Sequence, residues 1–381
     1  TTTVSGTLTC NASTISLGTG LTSAYGLTVN TGGTFTGGSG THTFGGLFVA
    51  DHASADCTLT SGNTTINGEN SDNYNFTVYD GSTLDNADGT VIFTGPTSTI
   101  YLQSSATVQS GEPRLHNVTL NSSGNTLTLG HNLTVEGALT LTAGTLDTDS
   151  SNNRALTVTG ATSIGPDGGA ADQATLTCNA SAISLGTGLT SAIALLVVTG
   201  GTFAGGSGTH TIGSLKVSNN ANSKCTMTTG TATINSMPSA GGGRSFHTLA
   251  NSTFDNANGT IALTSSSDQR IELGSVADTK CFHNLTLNKG GSSDVATFGN
   301  IRCEGDLSIT LSTNYTMRPN SASETLTVDG NCTIVEGKLG NTTNYTGAIS
   351  FGSLEIQSGG EYIATSGTTT LTDRTAAGTR S

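Results

Sequence analysis

Tryptophan is absent from the chain, and proline occurs only five times and methionine three times in 381 residues. Charge is scarce as well. Thirteen Lys and Arg face twenty-six Asp and Glu, 10% of the chain is charged, and the net charge is −13. The basic residues are scattered, so nothing is built to neutralise a phosphate backbone, and nucleic acid is not an expected partner. The longest apolar run, around Ile193–Val198, falls far short of the roughly 20 residues that cross a bilayer, so no membrane insertion is expected. None of the seven cysteines forms a CxxC pair, and neither H-E-x-x-H nor G-x-S-x-G occurs. Structural zinc, zincin and nucleophile-elbow chemistry therefore lack their residues, and no cofactor is expected. Low charge also argues against an open, self-repelling coil.

What the chain has is a long internal repeat. Thr7–Asn67 and Thr175–Asn235 align without a gap at an offset of 168, with 42 of 61 positions identical. The 19 differences act as a small mutation series. Leu47 and Val49 persist as Leu215 and Val217, while Phe48 between them becomes Lys216. Leu27 and Val29 persist as Leu195 and Val197, while Thr28 becomes Leu196. Tyr25 becomes Ile193, which reads as one apolar group for another on the same buried face. Alternate positions hold apolar character while those between drift, the signature of short strands with one buried face.

The same kernel returns at Leu133–Val135, Leu156–Val158, Leu285–Leu287, Leu307–Ile309, Leu326–Val328 and Leu354–Ile356. Between kernels lie corners such as Gly37-Gly38-Ser39-Gly40, where glycine supplies positive φ. Kernels spaced about 20 residues apart, with two or three strands each, predict an all-β fold: a right-handed parallel β-helix, or β-solenoid, of about nineteen coils. The 168-residue block corresponds to about eight such coils. Tandem β-sandwiches are the rival, but they need a different inward pattern for each strand. We expect unit 1 over residues 1–174, unit 2 over 175–342, and a partial third unit with a polar tail over 343–381, in one continuous rod. Strand-like text at both ends, with no capping helix, suggests more chain, end-to-end assembly or a partner.

The residues able to carry chemistry mostly repeat. Cys10 matches Cys178 and Cys57 matches Cys225, which suits small buried thiols. Cys281 and Cys303 are one expected coil apart, making them the one pair placed to form a disulfide. His42 and His210 share Gly-Thr-His-Thr, and His116 and His283 each precede asparagine. A catalytic site is normally single, so these pairs read as structural, and no catalytic or metal-binding residue is assigned. Asp85 and Asp88 of the first copy become Asp255 and Asn258, as in a turn that needs only Asx hydrogen bonds. Glu136 and Glu304 each precede a corner glycine and read as solvated. Fourteen Asn-x-Ser/Thr sequons occur, and Asn11 with Asn179 and Asn117 with Asn284 recur between copies. Those four are the glycosylation candidates, which would make the chain a glycoprotein.

The segments Leu133–Thr148 (LTVEGALTLTAGTLDT) and Ala155–Gly165 (ALTVTGATSIG) resemble repetitive β-helical surface proteins, such as phage tail fibres, tailspikes and the passenger regions of bacterial adhesins. The resemblance implies a non-enzymatic rod, shaft or filament subunit of an extracellular appendage or virion fibre. It also implies self-association, as an end-to-end polymer or a trimer, and an extracellular, cell-surface or virion location. A second reading is a glycan-binding adhesin or receptor-binding spike, which needs aromatic side chains on one outer face; Phe48, Tyr74, Tyr79 and Tyr101 are the nearest. A third is a β-helix carbohydrate-active enzyme with paired carboxylates.

Overall fold

Leucine, valine and phenylalanine alternating with threonine can bury one strand face and leave hydroxyls on the other, and the chain does this turn after turn. The computed structural model describes residues 1–103, 114–166, 173–265, 268–274, 281–289, 295–340, 345–364 and 366–372. Apart from a single 3-10 turn at Ala240–Gly242, the described elements are strands. They stack in parallel as a β-solenoid of about 13 turns with a spacing of about 25 residues.

The chain forms two compact units by contact, Thr1–Leu185 with Val197–Gly208, and Gly186–Leu196 with Thr209–Ser381. In the first, three walls are built from successive strands of each turn. One wall stacks Thr2–Val4, Leu27–Val29, Leu47–Val49, Tyr74–Val78 and Ser98–Leu102. A second stacks Thr7–Thr9, Thr34–Thr36, Asp56–Thr58 and Thr83–Asp85. A third stacks Ile15–Leu17, His42–Phe44, Asn63–Ile66 and Thr90–Phe93. The second unit repeats the scheme; one of its walls stacks Leu215–Val217, Phe246–Thr248 and Gln269–Leu273.

The kernels behave as their alternation predicts. Leu27, Val29, Leu47 and Val49 are fully buried, and so are their counterparts Leu195, Val197, Leu215 and Val217, while Phe48 and Lys216 lie at half-buried outer positions. Phenylalanines fill the interior; Phe246 packs edge-on against Phe254 and Phe282 with centroids 5.4 and 5.1 Å away. Removing any such ring from water contributes on the order of 2–3 kcal/mol.

The coil count departs from expectation. A turn can be as short as the step from Leu27 to Leu47, or run from Leu47 to Phe76. Corners absorb the difference, so about 13 turns of about 25 residues replace nineteen of 20. The duplication also fails to close a whole number of turns. Thr7–Thr9 belongs to the second wall, yet its copy Ala174–Thr177 lies in the first, reached through Leu127–Thr128 and Thr145–Asp147. The 168-residue step is thus six turns and two further walls, not eight coils.

Tyr25 is corrected too. Its strand begins at Leu27, so Tyr25 sits on the preceding corner, half-buried, with its ring among outer aromatics.

Candidate functional site

Strand alternation and parallel register together set Phe48, Thr77 and Tyr101 on successive rungs of one outer face. Rungs are roughly 4.8 Å apart, so their side chains are neighbours. Tyr74 enters beside them where the register shifts between Tyr74 and Phe76; Tyr79 follows the same strand, and Tyr25 arrives from its corner. The rings form a chain of contacts: Tyr25–Phe48 at 5.3 Å, Phe48–Tyr79 at 5.7 Å, Tyr79–Tyr101 at 5.7 Å and Tyr74–Tyr101 at 5.6 Å. His131 meets Tyr101 edge-on at 4.5 Å. These separations suit tilted and edge-to-face packing of aromatic quadrupoles.

The rings enclose an open cradle of about 270 Å³, lined also by Asn70, Asp72 and Thr77. Its polar floor is fixed. Tyr25 and Thr77 share a hydroxyl hydrogen bond of 2.7 Å, and Asn70 Nδ2 donates to the Tyr25 hydroxyl at 3.2 Å. Asn70 Oδ1 in turn accepts from the backbone N–H groups of Asp72 and Tyr74 at 3.0 and 2.8 Å, an Asx turn that sets the rim. Burial pushes the Tyr25 hydroxyl up to about 12 and raises Tyr79 as well. Burial, with Arg154 adding, lowers His131. The cradle therefore presents neutral rings and hydroxyls at neutral pH, with Asp72 the one charged lining residue among those described.

Phe48, Tyr74, Tyr79 and Tyr101 are the aromatics singled out from sequence, and they converge. Tyr25, Asn70 and His131 were missed. Tyr25 reads as a core position because its repeat partner is Ile193. Asn70 and His131 carry no pattern of their own, and only turn-to-turn stacking brings them near.

The other sequence candidates take structural places. All seven cysteines are buried free thiols. Cys281 and Cys303, the one pair placed for a disulfide by spacing, are both free thiols here, with Phe282 the residue that bridges to Cys303 across the ladder. Cys57 faces Phe35 and Leu84 rather than another thiol. His42 is fully buried, donates from Nε2 to the Gly37 carbonyl at 2.6 Å, and stacks on Phe44. Asn11 and Asn179 both adopt positive φ, 51° and 50°, at corners, where asparagine tolerates the left-handed region. Asn11 is exposed, whereas Asn179 Nδ2 donates to Asp147 at 2.8 Å. Asn117 and Asn284 each accept from a backbone N–H one turn on, Ala138 and Asp306, both at 2.9 Å. Each of these four asparagines thus has a backbone or turn-to-turn role at its position.

Asp88, His116 and Glu136 come within 4.8 Å of one another, a grouping that sequence alone does not reveal. Arg114 already pairs with Glu136 at 2.9 Å, and Asp88 is 84% exposed. The copied position Asn258 lacks the carboxylate. This grouping has an internal cation and one well-solvated arm, a poor cage for a metal ion.

No family model matches the chain, and no curated protein or solved structure does either. What the structure supports is a β-helical repeat protein, with no match that ties it to fibre, tailspike or adhesin proteins.

Proposed function

We propose that the chain is a non-enzymatic structural solenoid, a shaft or filament segment of an extracellular appendage or virion fibre, and that its first unit carries a cradle for a neutral saccharide. The observation that supports the binding role is the convergence of five aromatic rings around an open 270 Å³ space with a polar floor. The C–H face of a pyranose packs on such rings, while Asp72, Asn70 and the tyrosine hydroxyls match its hydroxyl groups. Apolar walls with a few placed polar groups are the usual make-up of a ligand site. On the corresponding rungs of the second unit stand Lys216, His247 and Glu272, so the solenoid does not itself require rings there. The threonine-rich outer faces and the scarcity of charge suit a hydrated scaffold that self-associates outside the cytoplasm.

Screening the full chain against an array of neutral and acidic glycans tests the reading. Binding of neutral saccharides, weakened about tenfold or more by Tyr101→Ala, is expected if one ring contributes about 1.5 kcal/mol. No neutral saccharide bound, or binding indifferent to Tyr101 and Phe48, overturns the cradle's assignment.

A further inference from the structure

The second unit places a cationic group on the rungs that are aromatic in the first. Lys216, His247 and Glu272 are register partners on successive strands. Arg270 shares the outer face of Gln269–Leu273 with Glu272, and Arg244 lies just before Phe246–Thr248. Glu272 Oε2 accepts from Arg244 Nε, and from Arg270 Nη2 at 3.2 Å. One carboxylate oxygen therefore orients two guanidinium groups. No ion pair involves Lys216 among the described residues. Lys216, Arg244 and Arg270 thus gather around one described carboxylate, in a chain whose net charge is −13 and whose Lys and Arg number thirteen.

Two further observations point to a missing partner. The His247 side chain is only 8% exposed, and neither ring nitrogen has a hydrogen-bond partner; its nearest carboxylate oxygen is 3.9 Å away. Arg270 Nε is likewise buried without a partner. Buried polar groups are almost always satisfied, so orphans beside the Lys216 ammonium mark where an acceptor belongs. The architecture does not demand the charge, since Phe48, Thr77 and Tyr101 occupy the corresponding rungs of the first unit with none.

We propose that Lys216, Arg244, His247 and Arg270 form an anion-binding site that takes the sulfate or carboxylate of an acidic saccharide. Guanidinium forks match the paired oxygens of either group, and Lys216 adds a point charge. Glu272 holds the two arginines in place and is a positioning residue. The site stands on its own observations and does not depend on the aromatic cradle.

The test titrates the full chain with a sulfated hexasaccharide, a carboxylated hexasaccharide, a neutral hexasaccharide and inorganic sulfate, by calorimetry at low salt. The His247 imidazole nitrogen shifts are followed in parallel. At least one acidic saccharide is expected to bind and move the His247 signals, while the neutral one leaves them in place. Lys216→Ala and Arg270→Ala should each weaken binding about tenfold or more, and Tyr101→Ala should leave it unchanged. Lys216→Gln, at a half-exposed and unpaired position, decides the matter if Arg270→Ala disturbs folding. Sulfate against carboxylate preference identifies which acidic group is read. The proposal is overturned if neither acidic saccharide binds, if binding survives loss of Lys216, if His247 does not respond, or if inorganic sulfate binds as tightly as the saccharides.

Discussion

Two glycines with nearly the same backbone angle offer a controlled measurement of how closely neighbouring turns approach. Gly20 has φ +68° and nothing within 4 Å of where a Cβ would stand. Gly38 has φ +67°, and a Cβ there would overlap the backbone carbonyl of Asn11 on the previous turn, well inside 3.0 Å. Gly20→Ala should therefore cost only the left-handed penalty, roughly 1–2 kcal/mol, partly offset by the stiffer unfolded chain. Gly38→Ala carries that same term and must also force two turns apart. Overpacking adds roughly 1–3 kcal/mol. Loss of the 2.7 Å bond that Ser39 N–H donates to the Asn11 carbonyl adds about 1 kcal/mol more. The two variants should differ by about 3 kcal/mol. The duplication supplies a replicate: Gly188 at φ +74° is open, and Gly206 at φ +64° would strike the Asn179 carbonyl. Guanidinium denaturation gives the global effect. Because long repeat arrays need not unfold in one step, hydrogen exchange at Ser39 and Ser207 gives the local one, with protection lost only in the Gly38 and Gly206 variants. Equal destabilisation of Gly20→Ala and Gly38→Ala, within 0.5 kcal/mol, would refute the close approach.

Phe246→Ala, which empties a fully buried site between Phe254 and Phe282, should destabilise the chain by about 3–5 kcal/mol in denaturant melts; a loss below about 1 kcal/mol would contradict that packing. Burial, reinforced by Arg244, lowers His247 from 6.5 to about 4. The unfolded chain therefore takes up this proton at higher pH than the folded one, and stability present above pH 6.5 should fall as pH drops towards 4. The loss is at most about 3 kcal/mol; midpoints at pH 7, 5.5 and 4.5 should converge between His247→Gln and the parent, and parallel profiles would count against it. Burial raises the thiols of Cys57, Cys225 and Cys303 far above their ordinary range, so a thiolate-directed reagent at pH 8 should leave them unmodified until denaturant is added. Intact-mass analysis under non-reducing conditions should find no Cys281–Cys303 bond.

The walls of the solenoid were legible because a buried strand face has a period of two, and Leu27, Val29, Leu47 and Val49 spell it directly. The turn length was not. Leu-x-Val kernels occur on more than one wall, with Leu27 stacked on Leu47 but Leu133 stacked on Leu156 in a different column. Other buried strands, such as Phe76–Val78 and Ile100–Leu102, are spelled with other residues. Counting kernels therefore mixes steps between walls with steps between turns. Corner lengths decide which residues lie above one another, and no hydrophobic pattern records them. The same limit applies to the sites. Phe48 and Tyr101 were visible as outward rings, but Tyr25 needed the corner geometry that turns it out of the core. The paired arginines on Glu272 needed the register that sets Arg244 beside it.

The displaced copy, Thr7–Thr9 in one wall and Ala174–Thr177 in another, has a consequence for how such chains lengthen. Any side of the prism accepts a strand written for any other, so a duplicated stretch need not match the pitch to be accommodated. Growth can proceed by whole walls rather than whole turns, and a copied strand comes to stack on neighbours from a different wall. Surface residues in it are then free to diverge, because they no longer stand over the ones they were copied from.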